Sequence, residues 1–577
     1  MLTATFIAAM SLSIALTFQA QPTPQLLQAT ARPHTLDSAR VLRDARNAQL
    51  SFELTRRSNL PMNLSGRSGR CDVRVGRFCY WWDDGEFEMP PEPKKISDAR
   101  TAMLEQLAKA AAALPGDRWI VSQRVRYLVE AERTADAIDV ARSCMAAPSW
   151  CASLAGFAFH TASDFVRADS AYGAALSLMP EPQRCKWTDI SMLLEGDPLK
   201  QYDKLSCANR AAFEAKFWAL SRPLFLVPAN DLRTEHFARL TMVEMIRTSR
   251  YPHPMAWGDD AQALMVRYGW ETHWSKEPPT GLNATEPNII GHEPTPAFDF
   301  VPASEALENP DSADAGDWAL HDPLAQTRYA PRYARSMTQL DHQVAFFRRG
   351  DSAIVVAAFD ARRDTSFTRD SIAAALVVAP ATSPDSVRIV SEPMTSRHSV
   401  LSSLAPWASL MISVEARDSA ARRVARARTV ARPPDATGRV TISDLLLFDD
   451  PKNLPQSLDD AAARARGSLS LTRTTPVGVY WEMYGVSATG EELAYTLTVS
   501  RIGTSWYRRA AEKLKVLDRR APVRMQWQEP SARPGATRSR AIAVDFSTLQ
   551  EGRYKIDLTL EAGGQAAATA SRIVDVK

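Results

Sequence analysis

Glu235, His236, His253, Asp259 and Asp260 form the densest group of potential ligands in the chain, all within 25 positions of one another. Carboxylates and imidazoles grouped in this way can hold a divalent metal and activate water for hydrolysis. Their spacing matches no metal-binding motif. Glu235 and Arg239 stand i,i+4, as in an ion pair along one helix face, and Asp259–Asp260 reads as a turn before an apolar strand over Met265–Gly269. His292–Glu293 lacks the second histidine of the HExxH zinc motif, and no GxSxG, Walker A or GxGxxG pattern occurs. The sequence therefore assigns no catalytic residue, no metal ligand and no cofactor. A metal-dependent envelope hydrolase using the His236–Asp260 region is the alternative reading.

Cysteine chemistry is the second possibility. Cys71, Cys79, Cys144, Cys151, Cys185 and Cys207 all lie in the first half of the chain. Six cysteines allow 15 pairings. Their order as close neighbours favours Cys71–Cys79, Cys144–Cys151 and Cys185–Cys207, each closing a short loop for about 2–3 kcal/mol in an oxidising compartment. The rival, a thiolate metal site, lacks the CxxC spacing.

Compartment follows from the N-terminus. Residues 1–20, MLTATFIAAMSLSIALTFQA, read as a secretory signal peptide cut near Ala20. No later stretch reaches the ~20 apolar residues that span a bilayer, so the mature chain is expected to lack a transmembrane segment and to reside in the periplasm or outside a bacterial cell. With 69 basic and 66 acidic side chains the formal charge is +3, which argues against a nucleic-acid partner. At 577 residues the chain divides into roughly three or four domains.

The elements that would position these residues change character along the chain. Residues 21–95 hold an amphipathic helix over Leu36–Asn59 and a short hairpin-like segment, Cys71–Trp82. Residues 96–248 are helical, with a helix capped by Ser97, and Pro115, Pro148 and Pro180 close successive stretches at spacings of 33 and 32 residues. Residues 249–335 form a proline-rich irregular connector expected to wrap over its neighbours through Phe298, Phe300 and Trp318. After Leu340 the apolar period becomes two. Residues 336–450 read as a β-sandwich, 451–475 as a linker with a helix near Leu458–Arg466, and 476–577 as a second sandwich. Within the last, Leu549–Tyr554 resembles the tyrosine corner of immunoglobulin-like domains, and a turn is expected over Ser487–Glu492.

Two further resemblances lie upstream. Ser149–Pro182 resembles a tetratricopeptide repeat: Ala155–Gly156 and Phe159 occupy its first-helix positions, and Ala168, Tyr172, Ala175 and Pro180 its second. Phe217–Gly269 resembles the bacterial GWxTD-domain family through FWALSRP at Phe217–Pro223, Asn230–Asp231, the basic helix carrying Glu235, His236 and Arg239, AWGDD at Ala256–Asp260 and MVRYG at Met265–Gly269. The naming motif departs from the pattern, with Ala256 in place of glycine. That family implies no particular biochemical role.

The expected fold is thus multidomain α + β, a repeat-like helical domain followed by two antiparallel sandwiches. The expected function is an exported, non-enzymatic scaffold that binds a protein partner through a concave helical face bearing Trp119, Tyr127, Trp150, Phe159 and Tyr172. A carbohydrate-binding surface protein is a further alternative, with the aromatics of Tyr80–Phe87 available to stack on sugars. Arg426, Arg428 and Arg432, on one side of an expected strand, read as a solvated basic stripe.

Overall fold

The computed structural model describes residues 34–62, 71–81, 89–278, 287–322, 325–435, 439–486, 492–502, 523–530, 537–563 and 565–577. The signal segment, most of the Tyr80–Phe87 aromatic run and nearly all of the Ser487–Glu492 turn lie outside these residues.

The first half is built from helices joined by short turns: α1 (His34–Asn59), α2 (Lys94–Ala113), α3 (Arg118–Glu130), α4 (Thr134–Arg142), α5 (Pro148–Thr161), α6 (Phe165–Leu178), α7 (Glu181–Thr188), α8 (Gly196–Asp203), α9 (Ala211–Ser221), α10 (Asp231–Ile246) and α11 (Asp259–Tyr268). Local chemistry sets their ends. Asp117, Asp164 and Asn230 accept backbone N–H groups at the starts of α3, α6 and α10, and Pro148 opens α5. Ser97 is not a cap: α2 begins three residues earlier, and the Ser97 hydroxyl donates to the Lys94 carbonyl inside the first turn. In α2 the apolar side chains Ile96, Met103, Leu104, Leu107 and Ala110 fall at helical spacing on the buried face.

Consecutive helices pack as hairpins, α3 with α4 and α5 with α6. At the second of these a Cβ on Gly156 would lie 2.8 Å from the Tyr172 ring, so only glycine lets the two helices approach this closely. Helix α10 packs against α3, α5 and α6 and is buried along almost its whole length. This burial overturns one expectation. Trp119, Tyr127, Trp150, Phe159 and Tyr172 are all buried, and not an open binding surface, because neighbouring elements cover them: α1 meets Tyr127 and α3 meets Trp150. Trp119 donates its indole N–H to the Thr248 carbonyl, and the Tyr172 ring packs 5.3 Å from Phe237.

All three neighbour disulfides are present, Cys71–Cys79, Cys144–Cys151 and Cys185–Cys207. The first staples the small hairpin β1 (Val73–Val75) and β2 (Phe78–Tyr80). Tyr80 stacks at 4.1 Å on Tyr268, which fixes that hairpin on α11.

Met265–Gly269 was expected as a strand and is the last turn of α11. Residues 259–268 bury Ala261, Met265, Val266 and Tyr268 at helical spacing, and Gly269 ends the helix at φ +89°. The proline-rich connector then forms a hairpin, β3 (His273–Glu277) and β4 (Asn288–His292), followed by the short helix α12 (Ser304–Glu308). Phe298, Phe300 and Trp318 are buried, and Trp318 donates to the Leu220 carbonyl, so this segment does wrap onto the helices.

The second half is strands. A five-stranded sheet, ordered β5 (Ser336–Gln339), β12 (Arg423–Ala431), β11 (Leu410–Asp418), β8 (Ser371–Pro380) and β9 (Arg388–Ser396), shares an apolar core with a three-stranded sheet of β10 (His398–Pro406), β7 (Ser352–Asp360) and β6 (Asp341–Arg349). Strands β13 (Thr441–Ile442) and β14 (Leu446–Phe448), expected to close this unit, instead pair with β16 (Val477–Tyr484), to which β19 (Arg538–Val544) also pairs. The chain between them and β16 carries α13 (Leu458–Ala463). The last sheet runs β15 (Ser470–Leu471), β21 (Gln565–Val576), β20 (Gly552–Ala562), β17 (Glu492–Arg501) and β18 (Val523–Pro530). Its Tyr554 hydroxyl donates to the Gln550 carbonyl at 2.8 Å.

The arginine stripe is corrected in part: Arg432 is exposed, as expected, but the other two are not. Arg426 and Arg428 are buried where β12 meets the helical half, and Arg428 donates to the carbonyls of Leu220 and Arg222 at 3.0 and 2.8 Å. Arg426 reaches the Pro223 carbonyl at 2.9 Å, and burial pulls its pKa down to about 10. Glu415, also buried, receives the N–H groups of Phe225 and Leu226 at 2.8 and 3.0 Å. Alternation along a strand gives a face, but not what covers it.

Candidate functional site

The residues first singled out as a ligand cluster are dispersed. His236 is buried against Trp218 and Phe237, with ring centroids 5.4 and 5.6 Å away, and burial together with the Arg239 charge holds it neutral with a pKa of about 3. Asp259 is exposed. Asp260 is clamped by Arg77, whose Nε and Nη2 lie 2.7 Å from its two oxygens, and these bonds keep the carboxyl far below its ordinary range. His253 pairs with Glu271. Among the described residues no group of three or more His, Cys, Asp or Glu side chains is placed to hold a metal.

Glu235 belongs to a buried network on the polar face of α10. Its carboxylate accepts from Arg239 Nε and meets His160 Nε2, each at 2.7 Å. Burial alone would raise its pKa, but these two partners outweigh it and bring it to about 2. Arg239 continues to the carbonyls of Val266, Arg267 and Arg328, joining α10 to α11 and to the connector. One turn before Glu235, Asp231 accepts from the Tyr333 hydroxyl at 2.9 Å, and burial raises it to about 6. These contacts tie α10 to α5, to α11 and to the connector.

Above it opens a cleft of about 890 Å³, within the on-the-order-of 300–1,000 Å³ typical of ligand pockets. Separate stretches of chain form its walls. The end of α1 and the start of α2 supply Arg56, Leu60, Glu92, Ile96 and Arg100. The turns α3–α4 and α5–α6 supply Glu130, Glu132, Thr161 and Ser163. The α10–α11 connection and α11 supply Tyr251, His253, Trp257, Ala261 and Met265, and β3 with the chain on either side of the β3–β4 hairpin supplies Trp270, Glu271, Trp274, Glu293 and Thr295.

Ion pairs set the electrostatics of these walls. Arg56 and Arg100 converge on Glu130, Arg100 also grips Glu92, and Arg126 and Arg56 flank Glu53. Arg56 lies over the rings of Phe52 and Trp274, 4.4 and 4.6 Å from their centroids. Burial disfavours its charge, yet Glu130 and Glu53 keep its pKa above the ordinary guanidinium value. Close by, His253 Nε2 sits 2.7 Å from Glu271 Oε1, and Arg57 donates to the His253 carbonyl. Against the cost of burial, each partner favours the charged form of the other, so the imidazole titrates above its usual value and the carboxyl below. Glu293, which accepts from the Thr295 N–H at 2.9 Å, goes the other way, raised by burial.

The sequence did not single out Arg56, Arg100, Glu130, Trp257, Trp270, Glu271, Trp274 or Glu293 as a site. One local signal was present: Trp257, Trp270 and Trp274 fall within 18 residues in a stretch with weak apolar periodicity. The remaining pairs join residues far apart in the chain, such as Arg56 with Glu130, and carry no spacing signature.

No family model matches the chain, and no curated protein matches it. Among solved structures, red sea bream transglutaminase is similar over 45% of this chain and 37% of its own, at 11% identity and a TM-score of 0.14. A Salmonella alpha-2-macroglobulin is similar over 45% and 17% respectively, at 11% identity and a TM-score of 0.14. A Bacteroides uniformis beta-glucuronidase is similar over 39% and 26%, at 8% identity and a TM-score of 0.15. The chain thus spans well under half the length of each, and at these scores the likeness carries no argument about fold or activity.

Proposed function

We propose that this chain is an exported, non-enzymatic binding protein of the bacterial envelope, and that its ligand or partner is held in the cleft between the helical hairpins and the β3–β4 hairpin. The observation that carries the proposal is the cleft itself: about 890 Å³, walled by separate stretches of chain that ion pairs hold in place. Three disulfides in the helical half favour an oxidising compartment. No helix among the described residues is long and apolar enough to cross a membrane.

A tetratricopeptide-like origin for α3–α6 is supported by the turns. Ala131, Glu132 and Arg133 donate to Tyr127, Val129 and Leu128, and 31 residues later Ala162, Ser163 and Asp164 donate to Ala158, His160 and Phe159 in the same pattern. Glu132 and Ser163 both take positive φ, 58° and 61°. The tyrosine corner and the paired sheets favour immunoglobulin-like sandwiches for the second half. The GWxTD resemblance remains part of the proposal through the arrangement of α9, α10 and α11.

The test is photo-crosslinking from the cleft in the native envelope. A photoreactive residue at the half-exposed Trp257 should capture one discrete partner or polymer, and one at exposed Met394 on β9, outside the cleft lining, should not. Equal yields from both positions would defeat the reading.

A further inference from the structure

Resting on the cleft as the binding site, we infer that its occupant is an uncharged, hydroxyl-rich oligosaccharide, stacked on the half-exposed indoles of Trp257, Trp270 and Trp274 and hydrogen-bonded by the carboxylates and guanidinium groups beside them.

Charge balance is the first argument. Among the described residues the lining carries five arginines and five glutamates, and its buried pairs are Glu130 with Arg56 and Arg100, and Glu271 with His253. An anionic or cationic ligand seated against these pairs would have to break them, at the cost of leaving a buried charge alone. A neutral ligand does not. A carboxylate held by one partner keeps further lone pairs in fixed directions, and a guanidinium keeps further N–H groups, which suits hydroxyls that both donate and accept.

Tryptophan placement is the second. Three indoles line one cleft, and none is fully buried. Trp257 meets Tyr251 edge-on at 5.6 Å and Trp270 tilts against Phe157 at 5.5 Å, so both planes are set by neighbours before any ligand arrives. Flat apolar faces beside fixed polar groups match the C–H faces and hydroxyl rims of sugar rings.

Arg56 adds an independent observation. Its side chain is 1% exposed and lines the cleft, yet Nη1 has no acceptor in the protein. A buried donor without an acceptor is uncommon, and a ligand hydroxyl oxygen would satisfy it.

The experiment is calorimetric titration of the full, disulfide-intact chain with maltotetraose, cellotetraose and chitotetraose, and with a proline-rich decapeptide as the competing ligand class. At least one sugar should bind and alter the tryptophan fluorescence. Trp270→Ala and Glu271→Gln should each weaken that binding by about tenfold or more. Trp257→Ala serves the same purpose should Trp270→Ala fail to fold, as circular dichroism would reveal. Absence of binding by all three sugars at millimolar concentration overturns the inference, as does sugar binding unaffected by the variants. Binding of the peptide alone also overturns it, but leaves the cleft as a ligand site, whereas loss of the position-specific cross-link removes the cleft altogether.

Discussion

Glu415→Gln is the sharpest test of how the two halves of the molecule are joined. Glu415 lies fully buried on β11 and accepts from Phe225 N at 2.8 Å, Leu226 N at 3.0 Å and Ser413 Oγ at 2.9 Å, with Arg428 Nη2 at 3.4 Å. It is the only acid among the ion pairs of this junction in the described residues, where Arg426 and Arg428 are both buried. The amide keeps the size and one acceptor oxygen but removes the charge. Breaking a buried ion pair by deleting one partner costs about 3–5 kcal/mol, because the remaining charge is left without compensation. The conservative replacement is placed at the low end, about 3 kcal/mol, which for a unit of some 200 residues lowers the melting temperature by about 10 °C. Differential scanning calorimetry reads this directly, and it also shows whether the two halves still melt together. The double variant Glu415→Leu, Arg428→Met should not recover the loss, since it also leaves the Phe225 and Leu226 N–H groups and the Leu220 and Arg222 carbonyls without their partners. A drop below about 2 °C for Glu415→Gln, or a double variant as stable as the parent chain, would refute the reasoning.

Three further outcomes follow from named contacts. His253 titrates above its free value in the fold, so its contribution to stability is full below about pH 6.5 and fades as the pH rises through the raised value; that of Glu271, depressed, is present above about pH 4.3 and fades on acidification. Melting curves from pH 5 to 9 should therefore show an alkaline loss that His253→Gln flattens. Gly156→Ala drives a methyl group into the Tyr172 ring at 2.8 Å and should cost about 1–3 kcal/mol by denaturant titration, with an unchanged midpoint counting against the α5–α6 packing described here. Replacing Cys185 and Cys207 together by serine opens a loop with a sequence separation of 22 and should lower stability by about 3 kcal/mol, while added reductant should then have less effect than on the parent chain.

Much of the architecture is local in origin and was legible. The helix over Leu36–Asn59 emerged as α1, the Cys71–Trp82 segment carries the β1–β2 hairpin, and the neighbour disulfides formed, because period, turn residues and short loops act over a few positions. The misreadings share one cause. An apolar run such as Met265–Gly269 fits a strand or a helix end, and only packing of Met265, Val266 and Tyr268 against the body of the protein selects the helix. Strands at Thr441–Phe448 fit either neighbouring sheet until β16 supplies the ladder.

By itself the amino-acid order determined which segments are helical or extended in most places, where the cysteines could reach one another, and which faces are apolar. Only the tertiary structure decided what each face meets. It turned five aromatics from a surface into buried positions, two of three stripe arginines, Arg426 and Arg428, into a seal between two halves, and it separated the supposed ligand cluster. The cleft exists for the same reason: its walls come from residues as distant as Arg56 and Glu293, and concavity arises from how elements are stacked, which no spacing along one chain records.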